Sequence, residues 1–252
     1  MSSPVRAFIN LNKKCFQFIA KIFPNTKFSA YAYYREQVRN NLAENKVILD
    51  VGGGKKCSFA SDARKFEGIK LIGLDVSQEE LDYNHDLDEK IVFDISSGER
   101  VPLDDASIDM ITSSSVLEHL QNLENSIKEI HRILKPGGKF ISVIPCKFAL
   151  FAIINQILPN WLARKILFSI IPESKGFGGF KAYYDRCYYP ALQKLLSKCG
   201  FAPAKFAFQY NQSSYFAFFL PFALISLVWD CLMYLFHVKP LASYLCFVTC
   251  KK

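Results

Sequence analysis

The stretch Val47-Ile-Leu-Asp-Val-Gly-Gly-Gly-Lys-Lys56 constrains the fold more than any other part of this chain. Three apolar residues lead to an acid, Asp50, and then to a glycine bend, Gly52, Gly53 and Gly54. That is how a buried parallel strand ends in a tight loop whose backbone can come close to a ligand. A second acid, Asp75, closes the next apolar run, Lys70-Leu-Ile-Gly-Leu-Asp75. A carboxylate about 20 residues beyond a glycine bend is placed to accept hydrogen bonds from ribose hydroxyls.

The rest of the first 150 residues repeats this alternation. Apolar runs at 70–74, 90–93, 108–112 and 139–144 read as further strands. Helical spacing is clearest at 122–134, where Lys135-Pro-Gly-Gly138 is a strong stop signal. Residues 30–43 read as a helix ahead of the first strand. Strands alternating with helices mean a parallel sheet with right-handed crossovers. After Pro145 the pattern changes. Residues 147–172 are apolar with scattered Lys and Arg, and 174–187 form a Gly- and aromatic-rich loop. Residues 189–199 read as a helix stopped by Gly200, and 201–209 as a strand. The greasiest run, 215–236, has Asp230 as its lone charge, and a final strand follows at 243–250.

Charge is unevenly spread. Residues 1–46 hold eight basic and two acidic residues, 47–138 ten basic and eighteen acidic, and 139–252 thirteen basic and three acidic. An acidic middle between basic, aromatic-rich flanks points the flanks at an anionic surface, either nucleic acid or lipid. No nucleic-acid module is visible, and the basic residues sit among long apolar runs, so nucleic acid is the disfavoured partner. The eight cysteines show no zinc spacing and read as reduced thiols of a cytosolic protein, with no metal implied. The N-terminus lacks the pattern of a cleavable signal.

Taken in order, Asp50-Val-Gly-Gly-Gly54, Gly73-Leu-Asp75, Phe93-Asp94-Ile95, Leu103-Asp-Asp-Ala-Ser-Ile-Asp-Met-Ile111, Ser114-Ser-Val-Leu-Glu-His119 and Arg132-Ile-Leu-Lys-Pro-Gly-Gly138 resemble the class I S-adenosylmethionine-dependent methyltransferases of the type 11 group. The resemblance covers about residues 45–145. It implies an α/β, Rossmann-like, seven-stranded sheet, six strands parallel and the last antiparallel. Helices would lie on both faces, with apolar helical insertions after strands 5 and 6. It also implies S-adenosyl-L-methionine as cofactor. The bend Gly52–Gly54 would face the amino-acid end of the cofactor, with Asp50 helping to place it. Asp75, with Val76 beside it, would hold the ribose. Asp94 would accept from the adenine amino group, with the Ile95 backbone alongside, and Ser113 and Ser114 would border the methionine part. One departure stands out: Lys55-Lys56 occupy the place of a third small residue. They either point outward, steer anions, or weaken the cofactor site. A dinucleotide fingerprint is disfavoured, because it needs glycine where Cys57 stands.

His119 falls at the family position nearest the transferred methyl and is a candidate general base; the alternative is that it packs the following helix. Tyr183, Tyr184 and Asp185 lie in the loop that roofs the substrate side of this fold and are candidate catalytic or substrate-contact residues, or else a structural aromatic cluster.

Three segments invite a membrane. Residues 4–23 read as a basic amphipathic helix, either lying on a membrane surface or packed on the domain, and 147–172 and 215–236 are apolar insertions. Since 201–209 and 243–250 are expected to share a sheet, 215–236 cannot cross a bilayer once. A re-entrant or interfacial hairpin that turns back near Pro221 and Asp230 is the expectation, with a buried core insertion as the alternative. The division is residues 1–44 as N-terminal helices and 45–252 as the methyltransferase domain, with insertions at 147–187 and 213–240. The function expected is methyl transfer to an apolar or lipid-linked acceptor, by a cytoplasmic protein held peripherally or monotopically on the inner face of a membrane. The rivals are a methyltransferase of a soluble small molecule that uses its insertions to dimerise, an RNA methyltransferase, and a non-catalytic membrane module. Oligomeric state is left open.

Overall fold

The computed structural model describes residues 3–159, 161–162 and 180–252. Seven strands form one sheet in the order β3-β2-β1-β4-β5-β7-β6. They are β1 (Val47–Val51), β2 (Lys70–Asp75), β3 (Glu89–Val92), β4 (Ile108–Ser114), β5 (Leu134–Pro145), β6 (Lys205–Gln209) and β7 (Tyr244–Cys250). β1 pairs in parallel with β2 and β4, β2 with β3, and β4 with β5, while β7 runs antiparallel to both β5 and β6. This is the sheet expected from the resemblance, inserted last strand included. Two boundaries differ. β6 begins at Lys205, Phe201 making only an isolated bridge to Lys251. β5 begins at Leu134, with the Lys135–Gly138 segment absorbed as a register shift opposite β4.

Helices cover both faces. On one face α2 (Ala30–Asn40) and α3 (Ala60–Ala63) lie over Ile48, Met110, Ile141 and Cys246. The Ser29 hydroxyl caps α2 by accepting from Ala32 N–H, and α2 buries Ala30, Tyr34 and Val38. α4 (Gln78–Tyr83) follows β2, capped by Ser77. On the other face α5 (Leu123–Ile133) and α7 (Tyr189–Lys198) bury Leu123, Ile127, Ile130, Leu192 and Leu195 against Leu49, Ile111 and Phe140. Each such side chain removed from water contributes about 1.5–3 kcal/mol, which is why α5, with apolar residues spaced three and four apart, is the most legible helix in the sequence. α6 (Leu150–Ile157) follows β5 and buries Ala152 in the same core. The Phe excess is partly core: Phe59, Phe140, Phe201 and Phe247 are fully buried.

The first and last α-helices form a separate layer. α1 (Ser3–Ala20) packs on α8 (Leu220–Leu235) through Phe16, which sits in a small cluster with Ala217, Ala223 and Leu227. Leu220 N–H donates to Asn12 Oδ1 at 3.0 Å. Here the hairpin expectation is corrected. Residues 220–235 are one continuous helix, because Pro221 sits in its first turn, where a missing N–H costs nothing. Asp230 does not break the helix either. Its carboxylate is buried and accepts the N–H groups of Gln212 and Ser213, both at 2.9 Å, tying α8 back to the end of β6. Among the described residues no helix is long and apolar enough to cross a membrane. Residue 160 and residues 163–179, parts of the expected 147–172 insertion and of the 174–187 loop, lie outside the described residues. All eight cysteines are free thiols.

Candidate active site

The glycine bend is built from its neighbours. Gly52 and Gly53 N–H groups both donate to the Leu74 carbonyl, at 2.7 and 3.2 Å, so the end of β2 holds the end of β1. Asp75 then closes the loop: Oδ2 accepts from Gly54 N–H and Oδ1 from Ser77 N–H, each at 3.0 Å. From below, the fully buried Asn84 donates to the carbonyls of Gly53 (2.7 Å) and Gly54 (3.1 Å). Gly52 has φ +77°, and a Cβ there would lie 2.1 Å from Val116 Cγ2. Only glycine fits a left-handed position with no room above it.

This bend is one wall of a cleft of about 660 Å³ at the carboxyl ends of β1, β2 and β4. Asp75 and Val76 continue the wall, Asp94 and Ile95 lie beyond β3, and Ser114 with His119 come from the β4 side. Phe180, Lys181 and Tyr183 close one end. The cleft therefore brings together Gly52, Gly54, Asp75, Val76, Asp94, Ile95, Ser114, His119 and Tyr183 from the sequence-derived set. Carboxyl-end clefts of open α/β sheets are where ligands bind.

Five residues of that set stand elsewhere. Asp50 lies beneath the cleft, its Oδ1 accepting from Thr112 Oγ1–H at 2.8 Å. Burial pushes its carboxyl up to about 7, and the neighbouring Asp75 adds to the rise while Thr112 opposes it. Gly53 faces β2, where its missing Cβ lets Gly73 Cα approach. Ser113 is buried with no partner for its hydroxyl, on the opposite side of β4 from Thr112. Tyr184 is buried rather than roofing the cleft. Asp185 accepts from Leu123 N–H at 3.2 Å and so anchors the start of α5. The last two are corrected from candidate catalytic to structural placements: with backbone hydrogen bonds from Tyr183 and Tyr184 N–H to the Glu118 carbonyl, Tyr183 alone of these three candidates lines the cleft.

Lys55 and Lys56 both line the cleft. Lys55 Nζ stands 5.8 Å from the Tyr83 ring centroid and its charge lowers the proton affinity of Glu80, which burial otherwise raises. With Lys181 the cleft holds three lysines against Asp75, Glu80 and Asp94, a balance that leaves it without a strong sign of its own. At the far end, His119 Nδ1 donates to the Lys181 carbonyl at 3.0 Å. Burial lowers the basicity of the ring, while that hydrogen bond partly restores it. Sequence reasoning missed Asn84, Glu80, Ser115 and Lys181. Asn84 and Lys181 sit in no local pattern and are brought in by long-range contacts, whereas Glu80 follows Asp75 in α4 and Ser115 stands inside the Ser114–His119 motif, at φ +57° and sharing a hydroxyl hydrogen bond with Tyr31 of α2.

An adenosyl-type cofactor fits this cleft. The bend lacks the one Cβ that would fill it. Each Asp75 oxygen holds one backbone N–H and keeps a second lone pair, and Asp94 Oδ1 is pinned by Ser96 N–H and Oγ–H at 2.8 and 2.7 Å while Oδ2 is left for a ligand. Fold and cleft suit an S-adenosylmethionine-dependent methyltransferase, and the similarities to known proteins support that activity. Residues 49–142 match the family model Methyltransf_11, a methyltransferase domain. The chain is 28% identical over 175 residues to a demethylmenaquinone methyltransferase of Chlorobaculum tepidum, covering 63% of this chain and 66% of that one. It is 30% identical over 106 residues to a sterol 4-C-methyltransferase of Caenorhabditis elegans, covering 40% of this chain and 31% of that one. The match thus spans about two thirds of the first relative and less than a third of the second. Among solved structures, geranyl diphosphate C-methyltransferase of Streptomyces coelicolor, in complex with S-adenosyl-L-homocysteine, superposes with a TM-score of 0.55 at 12% identity, covering 88% of this chain and 81% of that one.

Proposed function

We propose that this protein transfers a methyl group to an apolar acceptor that reaches the cleft from an anionic membrane surface. When bound, S-adenosylmethionine supplies an electrophilic methyl on a sulfonium; the chain supplies alignment, a dry wall and a place for the acceptor's proton. Asp75 and Asp94 would hold the nucleoside. Gly52 and Gly54 would admit the amino-acid end. Phe180 and Tyr183 would flank an apolar acceptor beside His119.

The observation that carries the membrane part is the outer face of the α1–α8 layer. Val5, Phe8, Leu11 and Phe18 on α1, Ile22 just after it, and Phe222, Ile225, Val228, Leu232 and Leu235 on α8 are all exposed. On α1 and just after it, the exposed Arg6, Lys14 and Lys21 run beside these residues, with Lys13 half-buried among them. A helix with an open apolar row flanked by Lys and Arg lies in the interface of an anionic bilayer. α8, at 16 residues, is about 24 Å long, short of a hydrocarbon core of about 30 Å, so the contact is peripheral. The quinone and sterol methyltransferases among the relatives support an apolar acceptor.

Co-sedimentation with phosphatidylcholine vesicles, with and without phosphatidylglycerol, tests the surface. Binding to the anionic vesicles is expected, weakening with salt. A protein that stays in the supernatant and forms a stable dimer by sedimentation velocity would instead assign the apolar face to a second copy. Incubation with labelled S-adenosylmethionine and a vesicle-borne quinol tests the acceptor.

A further inference from the structure

Behind the far end of the cleft sits a carboxyl that none of this uses. Glu118 is 3% exposed, and its Oε2 has no hydrogen-bond partner. Its Oε1 lies 3.8 Å from His119 Nε2. On the other edge of the same ring, Nδ1 faces the Lys181 carbonyl. A carbonyl oxygen only accepts, so Nδ1 carries the proton and Nε2 keeps the lone pair. The backbone is fixed too, since the Glu118 carbonyl takes the N–H groups of Tyr183 and Tyr184 at 2.8 and 3.0 Å. The imidazole is therefore held between a backbone acceptor on one nitrogen and a buried carboxyl near the other.

The surroundings of Glu118 are neutral. Tyr31 from α2, Tyr184 and Cys187 from the loop before α7, Tyr215 from the turn before α8 and Cys146 just after β5 lie within electrostatic reach of it. Burial raises each of these groups, so all hold their protons at neutral pH. Among the described residues no Lys or Arg pairs with Glu118. A carboxyl in such a place is costly to ionise, and one that takes a hydrogen bond from its own backbone N–H but leaves Oε2 without a partner, with an imidazole lone pair nearby, is an unusual thing to bury for packing alone.

We propose that His119 and Glu118 form a proton-holding pair for the methyl acceptor, with Nε2 taking the proton and Glu118 as the positioning residue behind the ring. This rests on the methyltransferase reading above. In the step itself the acceptor O–H bond would break with its electron pair left on the acceptor and its proton passed to Nε2, while the acceptor forms a bond to the methyl and the S–CH3 bond breaks with its pair left on sulfur. The ring gains one positive charge as the sulfonium loses one, so the net charge of the cleft is conserved. The pair also names the acceptor class. An imidazole whose basicity burial has lowered draws a proton from a phenolic or enolic hydroxyl, not from an alkyl alcohol, which is a far weaker acid. Glu118 is pushed up to about 8 by burial. Below that it is neutral; above it the carboxylate favours an imidazolium next to it, so proton uptake by Nε2 becomes easier as pH rises through about 8.

The test is NMR of the full chain with ring-labelled histidine, with the His119 signals assigned by His119→Gln. In the wild type the His119 ring shifts should titrate in two steps, one below the ordinary imidazole range and one near 8 from Glu118. Glu118→Gln, which matches the neutral acid in shape, should keep the first step and lose the second. A single step in the wild type, or two steps in E118Q, would overturn the pair. In turnover with a phenolic acceptor, kcat should rise through about pH 8 in the wild type and lose that rise in E118Q, with the KM for S-adenosylmethionine unchanged. Identical pH profiles would overturn the catalytic part. Two NMR steps in a protein that binds no S-adenosylmethionine by calorimetry would instead overturn the methyltransferase reading, leaving the pair without a methyl acceptor.

Discussion

Replacing Asp50 by Asn should make the protein more stable at neutral pH and leave it nearly unchanged near pH 4. Asp50 lies under the cleft with one hydrogen bond, from Thr112, and burial lifts its carboxyl from 3.8 to about 7. Between those two values the folded state holds a proton that the unfolded chain releases. The unfolded state then binds fewer protons, so stability falls as pH rises through the window. Below 3.8 both states are protonated and nothing is lost; above about 7 both are ionised and the loss is complete. The difference of about three powers of ten in proton affinity corresponds to roughly 4 kcal/mol, an upper figure because relaxation and water entry soften such penalties. Asn keeps the acceptor oxygen for Thr112 and has no proton to lose. The stability gap between Asp50→Asn and wild type should therefore widen by up to about 3 kcal/mol from pH 4.5 to pH 8. Urea denaturation followed by far-ultraviolet circular dichroism at several pH values measures it, with m-values compared to verify that the unfolded states match. Glu118 and Asp230, also raised by burial, are present in both proteins and cancel. A gap that stays constant over this range would refute the assignment of Asp50 as a buried, proton-retaining acid.

Further outcomes follow from the same geometry. Gly52→Ala would drive a Cβ into Val116 and strain a left-handed residue; a stability loss of about 1–3 kcal/mol and at least a tenfold weaker S-adenosylmethionine affinity by calorimetry are expected. Asn84→Ala would orphan the Gly53 and Gly54 carbonyls at about 1–3 kcal/mol, seen as a lower melting temperature together with weaker cofactor binding. Replacing Lys13, Lys14 and Lys21 by Ala should weaken binding to anionic vesicles by about 3 kcal/mol, roughly a hundredfold, while leaving cofactor affinity unchanged. The effect should shrink in high salt.

What was legible in the sequence followed from local chemistry. The parallel strands announce themselves as apolar runs closed by acids, and α5 by its three-four spacing. Asp75 and Asp94 are found because they stand at strand ends, where the fold puts ligands. Asp50 was found by the same logic and placed too high: it is one residue short of the last residue of β1, and strand alternation turns its side chain toward Thr112 and α2 rather than into the cleft. The pair Tyr184 and Asp185 failed for a similar reason. Neighbours in a loop do not share a direction, and Tyr183 alone of the three candidates lines the cleft. Asn84 and Lys181 had no signal, since what recruits them is a contact across about 30 residues for Asn84 and 62 for Lys181.

The treatment of residues 215–236 carries a more general point. A run with one charge reads as a segment seeking lipid, and Pro221 and Asp230 read as breaks. In the folded chain both are fastenings: Pro221 starts the helix, and Asp230 holds it to the end of β6 through two backbone N–H groups. The same anchoring decides which face of α8 is left over. Asp230, Ala223, Ser226 and Leu227 turn inward, and Phe222, Ile225, Val228, Leu232 and Leu235 are left outside. The turn before the helix carries Tyr215, which reaches the neighbourhood of Glu118. One helix thus joins the apolar outer face to the innermost end of the cleft, so a substitution such as Asp230→Ala, which frees the helix but leaves every cleft residue in place, should disturb both at once. Vesicle affinity and the pH 8 step of His119 should change together in that variant. If vesicle binding alters while the His119 titration stays as in the wild type, the two ends of the helix are mechanically independent.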